Sequence, residues 1–291
     1  YFGSSNVRSP FDEPDVGARM MGATALSGPR GRRPRMAHRP RRHRSAFLAV
    51  VVSATAAGAA PALSALSSTE LPRALWARPD VAARVWKRLR GPSAPGRALA
   101  EEPLVRQVEG FLEPHRVEGV LRAARFDVVG PMRRRECADL PSGIPVVSLI
   151  RRRAAEALGL GEEYLEPLRL VRYSRPGDTF EAHVDWTTDA SDPQLGLLGQ
   201  RVATGLVYLA DVPAGVGGET YFSHLGLSCL PRIGAALLWP NVDPEGRPLQ
   251  ITEHEARPLT CEGFWKAAVN IWARDRPMPT DPAVLGSLLL S

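Results

Sequence analysis

Between residues 179 and 186 the chain reads Thr-Phe-Glu-Ala-His-Val-Asp-Trp. Apolar and polar residues alternate there as in a half-buried strand. Phe180, Ala182, Val184 and Trp186 take one face, and Glu181, His183 and Asp185 take the other. A strand with an imidazole and a carboxylate two residues apart presents two kinds of metal ligand side by side. One more histidine from another strand completes a 2-His-1-carboxylate set, which holds an octahedral iron(II) and leaves three positions for a bidentate cosubstrate and O2. A lone His-x-Asp pair also fits a solvated polar strand face. The strand-rich half of the chain has two other histidines, His224 and His254.

A second chemical signal is a lysine. The chain uses arginine for nearly all its positive charge; its only lysines are Lys87 and Lys266. Lys266 opens Lys-Ala-Ala-Val-Asn-Ile-Trp, which reads as a strand. A slim ammonium on a flexible stem, rather than a planar guanidinium, suits end-on binding of one carboxylate at the floor of a barrel. An exposed lysine with its stem on the surface is the other reading.

The elements that must position these groups are legible in outline. Leu104–Val108 predicts a strand. Pro114 opens a helix with Val117, Val120, Leu121 and Ala124 on one face, and a second helix carries Val147, Ile150, Ala154 and Leu158 up to Gly159. After Glu166 the pattern predicts strands over 168–173, 179–186, 202–209, 220–222, 235–239, 251–255 and 266–272, separated by turn-rich gaps. Helices followed by many short strands predict a mainly β fold with flanking helices, a jelly-roll barrel. Gly215, Gly217 and Gly218 precede a strand-like Thr-Tyr-Phe with no following helix or lysine, so they predict a bulge or hairpin rather than a phosphate loop. Cys137, Cys229 and Cys261 form no CxxC pair and allow at most one disulfide.

From about residue 104 to 275 the sequence resembles the prolyl 4-hydroxylase branch of the iron(II)/2-oxoglutarate dioxygenases. The motifs that carry the resemblance run in order: Val108-Glu109-Gly110-Phe111-Leu112; Leu170 to Tyr173 with Pro176-Gly177 and His183-Val184-Asp185; Gln200 to Leu209; Gly217 to Phe222; Pro231 to Trp239; and His254, Pro258, Gly263, Lys266, Asn270 and Trp272. The resemblance implies a double-stranded β-helix, with His183, Asp185 and His254 as iron ligands. It implies Lys266 as the anchor of the distal 2-oxoglutarate carboxylate, with Tyr173 and Thr204 as further contacts to that cosubstrate. It also implies O2 and L-ascorbate as requirements, and a proline-containing peptide or protein as substrate. The His254-to-Lys266 spacing is about two residues longer than the common family pattern, which keeps Arg257 as a reserve contact. Segments 129–143 and 187–199 are the predicted closing loops over the substrate.

Composition separates two parts. The formal charge is +6, but residues 1–99 hold 17 Arg+Lys against 5 Asp+Glu, and residues 100–291 hold 20 against 26. The first part is therefore +12 and the second −6, which argues against a nucleic-acid-binding catalytic domain. Arginines crowd residues 30–44, immediately before an uncharged stretch from Ser45 to Thr69. That order predicts a secretory signal or a signal anchor, with a membrane tether over 46–66, and a catalytic domain facing the endoplasmic reticulum lumen or secretory pathway. A plastid transit segment is the alternative. The predicted organisation is a basic, largely disordered targeting and linker segment over 1–99, a dioxygenase domain over 100–277 and a tail over 278–291. A same-superfamily enzyme with another substrate, a non-catalytic jelly-roll binding module and a membrane-anchored interaction protein are the competing functions. The sequence carries no indication of oligomeric state.

Overall fold

A computed structural model describes residues 71–124 and 135–281 of the chain. The basic cluster, the predicted signal or tether over 46–66, the first part of loop 129–143 and the end of the tail lie outside these residues.

In chain order the described elements are α1 (Pro79–Arg90), β1 (Arg97–Glu101), β2 (Leu104–Val108), α2 (Pro114–Ala123), β3 (Glu136–Asp139), α3 (Pro145–Leu158), β4 (Arg169–Tyr173), β5 (Phe180–His183), α4 (Pro193–Leu198), β6 (Arg201–Tyr208), β7 (Thr220–Phe222), β8 (Leu227–Cys229), β9 (Ala236–Pro240), β10 (His254–Ala256) and β11 (Lys266–Arg274). They form a seven-stranded sheet, β1-β2-β9-β6-β11-β4-β3, and a four-stranded sheet, β5-β10-β7-β8. The pairs within each sheet are antiparallel. Val171, Tyr173, Leu206, Tyr208, Leu237, Trp239 and Ala268 of the large sheet meet Phe222, Cys229 and Ala256 of the small one in a shared core. This is the mainly β, double-sheet jelly roll with flanking helices that the sequence predicts. The three thiols are free.

Period-2 alternation decides what the large sheet shows to each side. On β11, Lys266, Ala268, Asn270 and Trp272 face the space between the sheets. Ala267, Val269, Ile271 and Ala273 alternate with them and are fully buried on the other face. That outer side carries the helices: α1 packs on β6 and β9, and α3 packs on α1 and α2. Gly159 ends α3 in the left-handed region at φ 70°, a conformation that costs glycine little. Gly217 approaches the Pro258 carbonyl so closely that a Cβ would lie 1.9 Å from its oxygen, which makes the glycine turn a packing feature of the barrel.

The folded part begins earlier than the predicted boundary at residue 100. Residues 71–99 are not a disordered linker. Pro79 sits in the first turn of α1 and Asp80 favours its positive end, while Lys87, Arg88 and Arg90 favour its negative end. Val81, Ala82, Val85, Trp86 and Leu89 form one buried stripe, and the Trp86 indole donates to the Val242 carbonyl at 2.7 Å. Arg84, Lys87 and Arg90 are on the exposed face of this helix. Residues 97–101 form the edge strand β1, paired with β2. In the 129–143 segment, Glu136–Asp139 is likewise a strand, paired with β4, and α4 occupies part of the other predicted closing loop.

One buried ionic node ties the sheet to its flank. Glu166 accepts from Arg201 at 2.7 and 2.9 Å and from Arg274 Nε at 2.6 Å. Burial alone would raise the Glu166 pKa, but the two guanidinium groups hold it below the ordinary value. Glu166→Ala leaves the buried Arg274 and the half-buried Arg201 without their shared counter-ion and is expected to cost about 3–5 kcal/mol of stability. Urea unfolding checks this; a loss under about 1 kcal/mol would mean that the node is as weak as a surface pair.

Candidate metal centre

His183 ends β5 and His254 begins β10, and the two are directly opposed in the antiparallel register of the small sheet. Asp185 lies two residues beyond the end of β5, so the strand is shorter than the 179–186 expected from alternation. One ligand atom from each of His183, Asp185 and His254 lies within 4.8 Å of the others. His183 Nε2 is 3.8 Å from Asp185 Oδ1, and His254 Nε2 is 3.6 Å from Asp185 Oδ2. These separations are too long for hydrogen bonds, so the Nε2 lone pairs and the carboxylate converge on a common point without satisfying one another.

The ring tautomers are set by the strands themselves. His183 Nδ1 lies 2.7 Å from the Glu181 carbonyl, and His254 Nδ1 lies 3.0 Å from the Thr252 carbonyl. A carbonyl only accepts, so each Nδ1 carries the hydrogen and each Nε2 offers its lone pair, the arrangement a metal requires. Burial, with His254 nearby, lowers the His183 pKa to about 4, which keeps the ring neutral and able to ligate near neutral pH. Burial pushes the Asp185 carboxyl upward, but His254, His183, Arg201 and a hydrogen bond from Thr204 outweigh it, and the group stays ionised. The residues present therefore fit a divalent ion bound by two imidazoles and one carboxylate.

Strict alternation placed Phe180 on the face opposite His183, and the structure corrects this. Two residues of β10, His254 and Ala256, span the three-residue step from His183 to Phe180, so β5 is bulged. The extra residue brings Phe180 and His183 to the same side, with their rings stacked 3.8 Å apart. Trp239 meets His254 edge-on at 4.9 Å. Both imidazoles are thus held by an aromatic neighbour as well as by a hydrogen bond.

One pocket between the sheets is lined by His183, Asp185 and His254 and also by Lys266. The ammonium is 2% exposed, and its one hydrogen bond is a 3.4 Å contact to the Thr220 hydroxyl. No carboxylate pairs with it among the described residues. Burial lowers its pKa to about 7. A buried cation without a counter-ion, lining the same cavity as three metal ligands, fits one carboxylate of a small dianion. Tyr173, opposite Lys266 in register on β4, places its ring 5.3 Å from the ammonium and lines the same pocket.

Other predicted contacts fall elsewhere. The Thr204 hydroxyl donates to Asp185 Oδ2 at 2.7 Å and accepts from Asn241 Nδ2 at 2.9 Å, so it is engaged with the metal carboxylate rather than with the lysine end. Arg257 lies over the Tyr221 ring at 3.8 Å and outside the cavity lining. His224 faces Glu253 at 3.8 Å, away from the triad. Sequence reasoning missed Tyr208 and Thr220, whose hydroxyls are 2.8 Å apart beside Lys266. Tyr208 was accessible: it lies four residues after Thr204 on β6, on the same face by period 2.

Because the Asn241 amide occupies a lone pair of Thr204, the Thr204 proton is directed to Asp185 and holds one carboxylate oxygen. Thr204→Val keeps the shape and removes that bond, and is expected to weaken Mn(II) binding by about 10-fold or more, with Thr204→Ser close to wild type. Calorimetric titration decides; equal affinities for wild type and Thr204→Val would show that the bond is irrelevant to the metal.

No protein-family model matches the chain. It is 36% identical over 135 residues to prolyl 4-hydroxylase subunit alpha-1 of Gallus gallus, a match covering 45% of this chain and 25% of that protein. Against subunit alpha-2 of the same organism the identity is 33% over 132 residues, covering 45% and 24%. The chain thus spans about a quarter of the length of these relatives. Among solved structures, the viral collagen prolyl hydroxylase of Paramecium bursaria Chlorella virus-1 is 27% identical with a TM-score of 0.48, covering 58% of this chain and 94% of that one. By sequence, somewhat less than half of this chain is similar to about a quarter of the prolyl 4-hydroxylase alpha subunits.

Proposed function

We propose that the chain is an iron(II)- and 2-oxoglutarate-dependent dioxygenase that hydroxylates prolyl residues in a peptide or protein. The observation that carries the reading is one pocket lined by His183, Asp185 and His254 together with a buried lysine that forms no ion pair among the described residues. When bound, iron(II) with 2-oxoglutarate and O2 supplies the oxidising chemistry, one oxygen atom ending in succinate and the other in the new hydroxyl.

The protein's part is positioning and exclusion of water. His183, Asp185 and His254 would hold the iron through two imidazole nitrogens and one carboxylate oxygen. Lys266, with the Tyr208 and Thr220 hydroxyls beside it, receives the far carboxylate of the cosubstrate and orients its keto-acid end toward the triad. Tyr173, Leu206 and Trp239 wall this space with apolar surface, which strengthens the ammonium–carboxylate attraction. The net negative charge of residues 100–291 favours a peptide over a nucleic acid as substrate.

Ascorbate as a reductant for the iron and a lumenal or secretory location belong to the same proposal. The location is supported by the order of basic and uncharged residues over 30–69. Among the described residues, no helix is long and apolar enough to cross a membrane.

The test is succinate release by the purified chain with iron(II), 2-oxoglutarate, ascorbate and proline-rich peptides, with hydroxyproline measured in the product. Stoichiometric hydroxyproline is expected. Succinate without a modified proline would point to another substrate of the same chemistry, and no succinate with any peptide would overturn the reading.

A further inference from the structure

We infer that Gln200 is a positioning residue for Asp185, and that the segment around residues 71–78 is part of the metal centre; this rests on the reading that the triad binds a divalent metal. Asp185 is the ligand that needs outside support. β5 stops at His183, so the backbone from Val184 to Thr187 has no place in a strand ladder and must be fixed by other groups.

Gln200 supplies much of that fixing. Its Oε1 accepts from the Thr187 amide at 2.7 Å, and its Nε2 donates to the Thr187 carbonyl at 3.0 Å. Both ends of one side-chain amide thus grip one residue, two positions after Asp185, as a neighbouring strand would. The same Nε2 donates to the Leu75 carbonyl at 2.9 Å, and Oε1 also accepts from the Arg201 amide at 2.9 Å. The side chain is 1% exposed and fully partnered.

The first described residues close the grip from behind. Leu75 packs with Trp186 and Leu195, while Leu71 and Val184 border that cluster, so the residues on either side of Asp185 are both engaged. Asp275 joins the two elements: Oδ2 accepts from the Arg78 amide at 2.7 Å, and Oδ1 accepts from the Gln200 amide at 3.1 Å. Arg201 Nη1 reaches the Asp185 carbonyl itself at 3.3 Å. Together these bonds fix the backbone on which the metal carboxylate stands, from residues far outside the triad.

The experiment is titration of the purified full chain with Mn(II) by calorimetry and with Co(II) by visible absorption, without turnover. Gln200→Met removes the amide at nearly constant length. Leu75→Ala loosens the packing on Trp186, and Leu158→Ala, in the helical layer, serves as a variant of lowered Tm away from the grip. Gln200→Met is expected to weaken Mn(II) affinity about 10–100-fold and to shift the Co(II) spectrum at saturation. Leu75→Ala is expected to weaken it in the same direction, whereas Leu158→Ala keeps wild-type affinity despite its lower Tm. Should Gln200→Met not fold, Leu75→Ala against Leu158→Ala decides the matter. The inference fails if the grip variants bind Mn(II) as tightly as wild type, or lose no more than Leu158→Ala. A wild-type chain that binds neither ion overturns the metal reading itself and this inference with it.

Discussion

Asp185→Ala is expected to abolish metal binding and to lower succinate release by about 1,000-fold or more, on the order of 4 kcal/mol of transition-state stabilisation. The variant removes the one anionic ligand of the centre and leaves two neutral imidazoles, which hold a divalent cation weakly. The loss is not expected to be a folding defect. In the metal-free protein the Asp185 carboxylate is buried but held ionised by His254, His183, Arg201 and the Thr204 hydroxyl, so removing it is expected to lower the metal-free Tm only modestly. The two states of the protein therefore separate the causes. Wild type gains stability on adding Mn(II), by the linkage that any native-state ligand provides, and Asp185→Ala does not. A variant that still gains stability with Mn(II) would show that Asp185 is not a ligand.

Lys266→Met is expected to weaken 2-oxoglutarate binding by about 100-fold, within the roughly 2–5 kcal/mol that truncating one partner of a buried charge pair costs. Its effect on the empty protein has the opposite sign. Without cosubstrate the ammonium is a buried charge with no ion-pair partner among the described residues, and methionine fills similar volume without that cost, so the Tm is expected to rise. The pH dependence follows from the same burial. The lysine pKa falls from 10.5 to about 7, so between these values the unfolded chain binds a proton that the folded chain does not. This group's contribution to stability therefore increases as pH rises from about 7 toward 10.5. Dicarboxylate binding runs the other way, because only the protonated lysine pairs with it: affinity is expected to fall about tenfold per pH unit above about 7. His183, held near 4, does not titrate in that window. Calorimetry with 2-oxoglutarate and metal at pH 6.5 to 9 checks the slope, and an affinity flat across that range would place the anion elsewhere.

Period and spacing made the barrel and its chemistry legible. β2, α2, α3 and β7 stand where the apolar pattern puts them, and His183, Asp185, His254 and Lys266 meet in one cavity as the ordered motifs imply. The errors have different causes. α1 was hidden because its segment was read by composition, as arginine-rich and poor in acids, when its apolar stripe repeats at helical spacing. Phe180 was placed on the wrong face because a bulge adds one residue to β5, and a bulge depends on the partner strand rather than on local alternation. The resemblance implies Thr204 as a cosubstrate contact; it lines the pocket, and which protein groups its hydroxyl meets depends on Asn241 and Asp185, 37 and 19 residues away in the chain.

The sequence by itself determined the ligand types, the strands that bear them and the single lysine that ends the cavity. Those depend on residue identity and on periods of 2 and 3.6, which are local properties of the chain. Tertiary structure alone decided which oxygen of Asp185 is held, which amide grips the backbone beyond it, and that residues before 100 belong to the site's support. These are contacts between segments distant in sequence, and their geometry exists only once both sheets and the helical layer are packed.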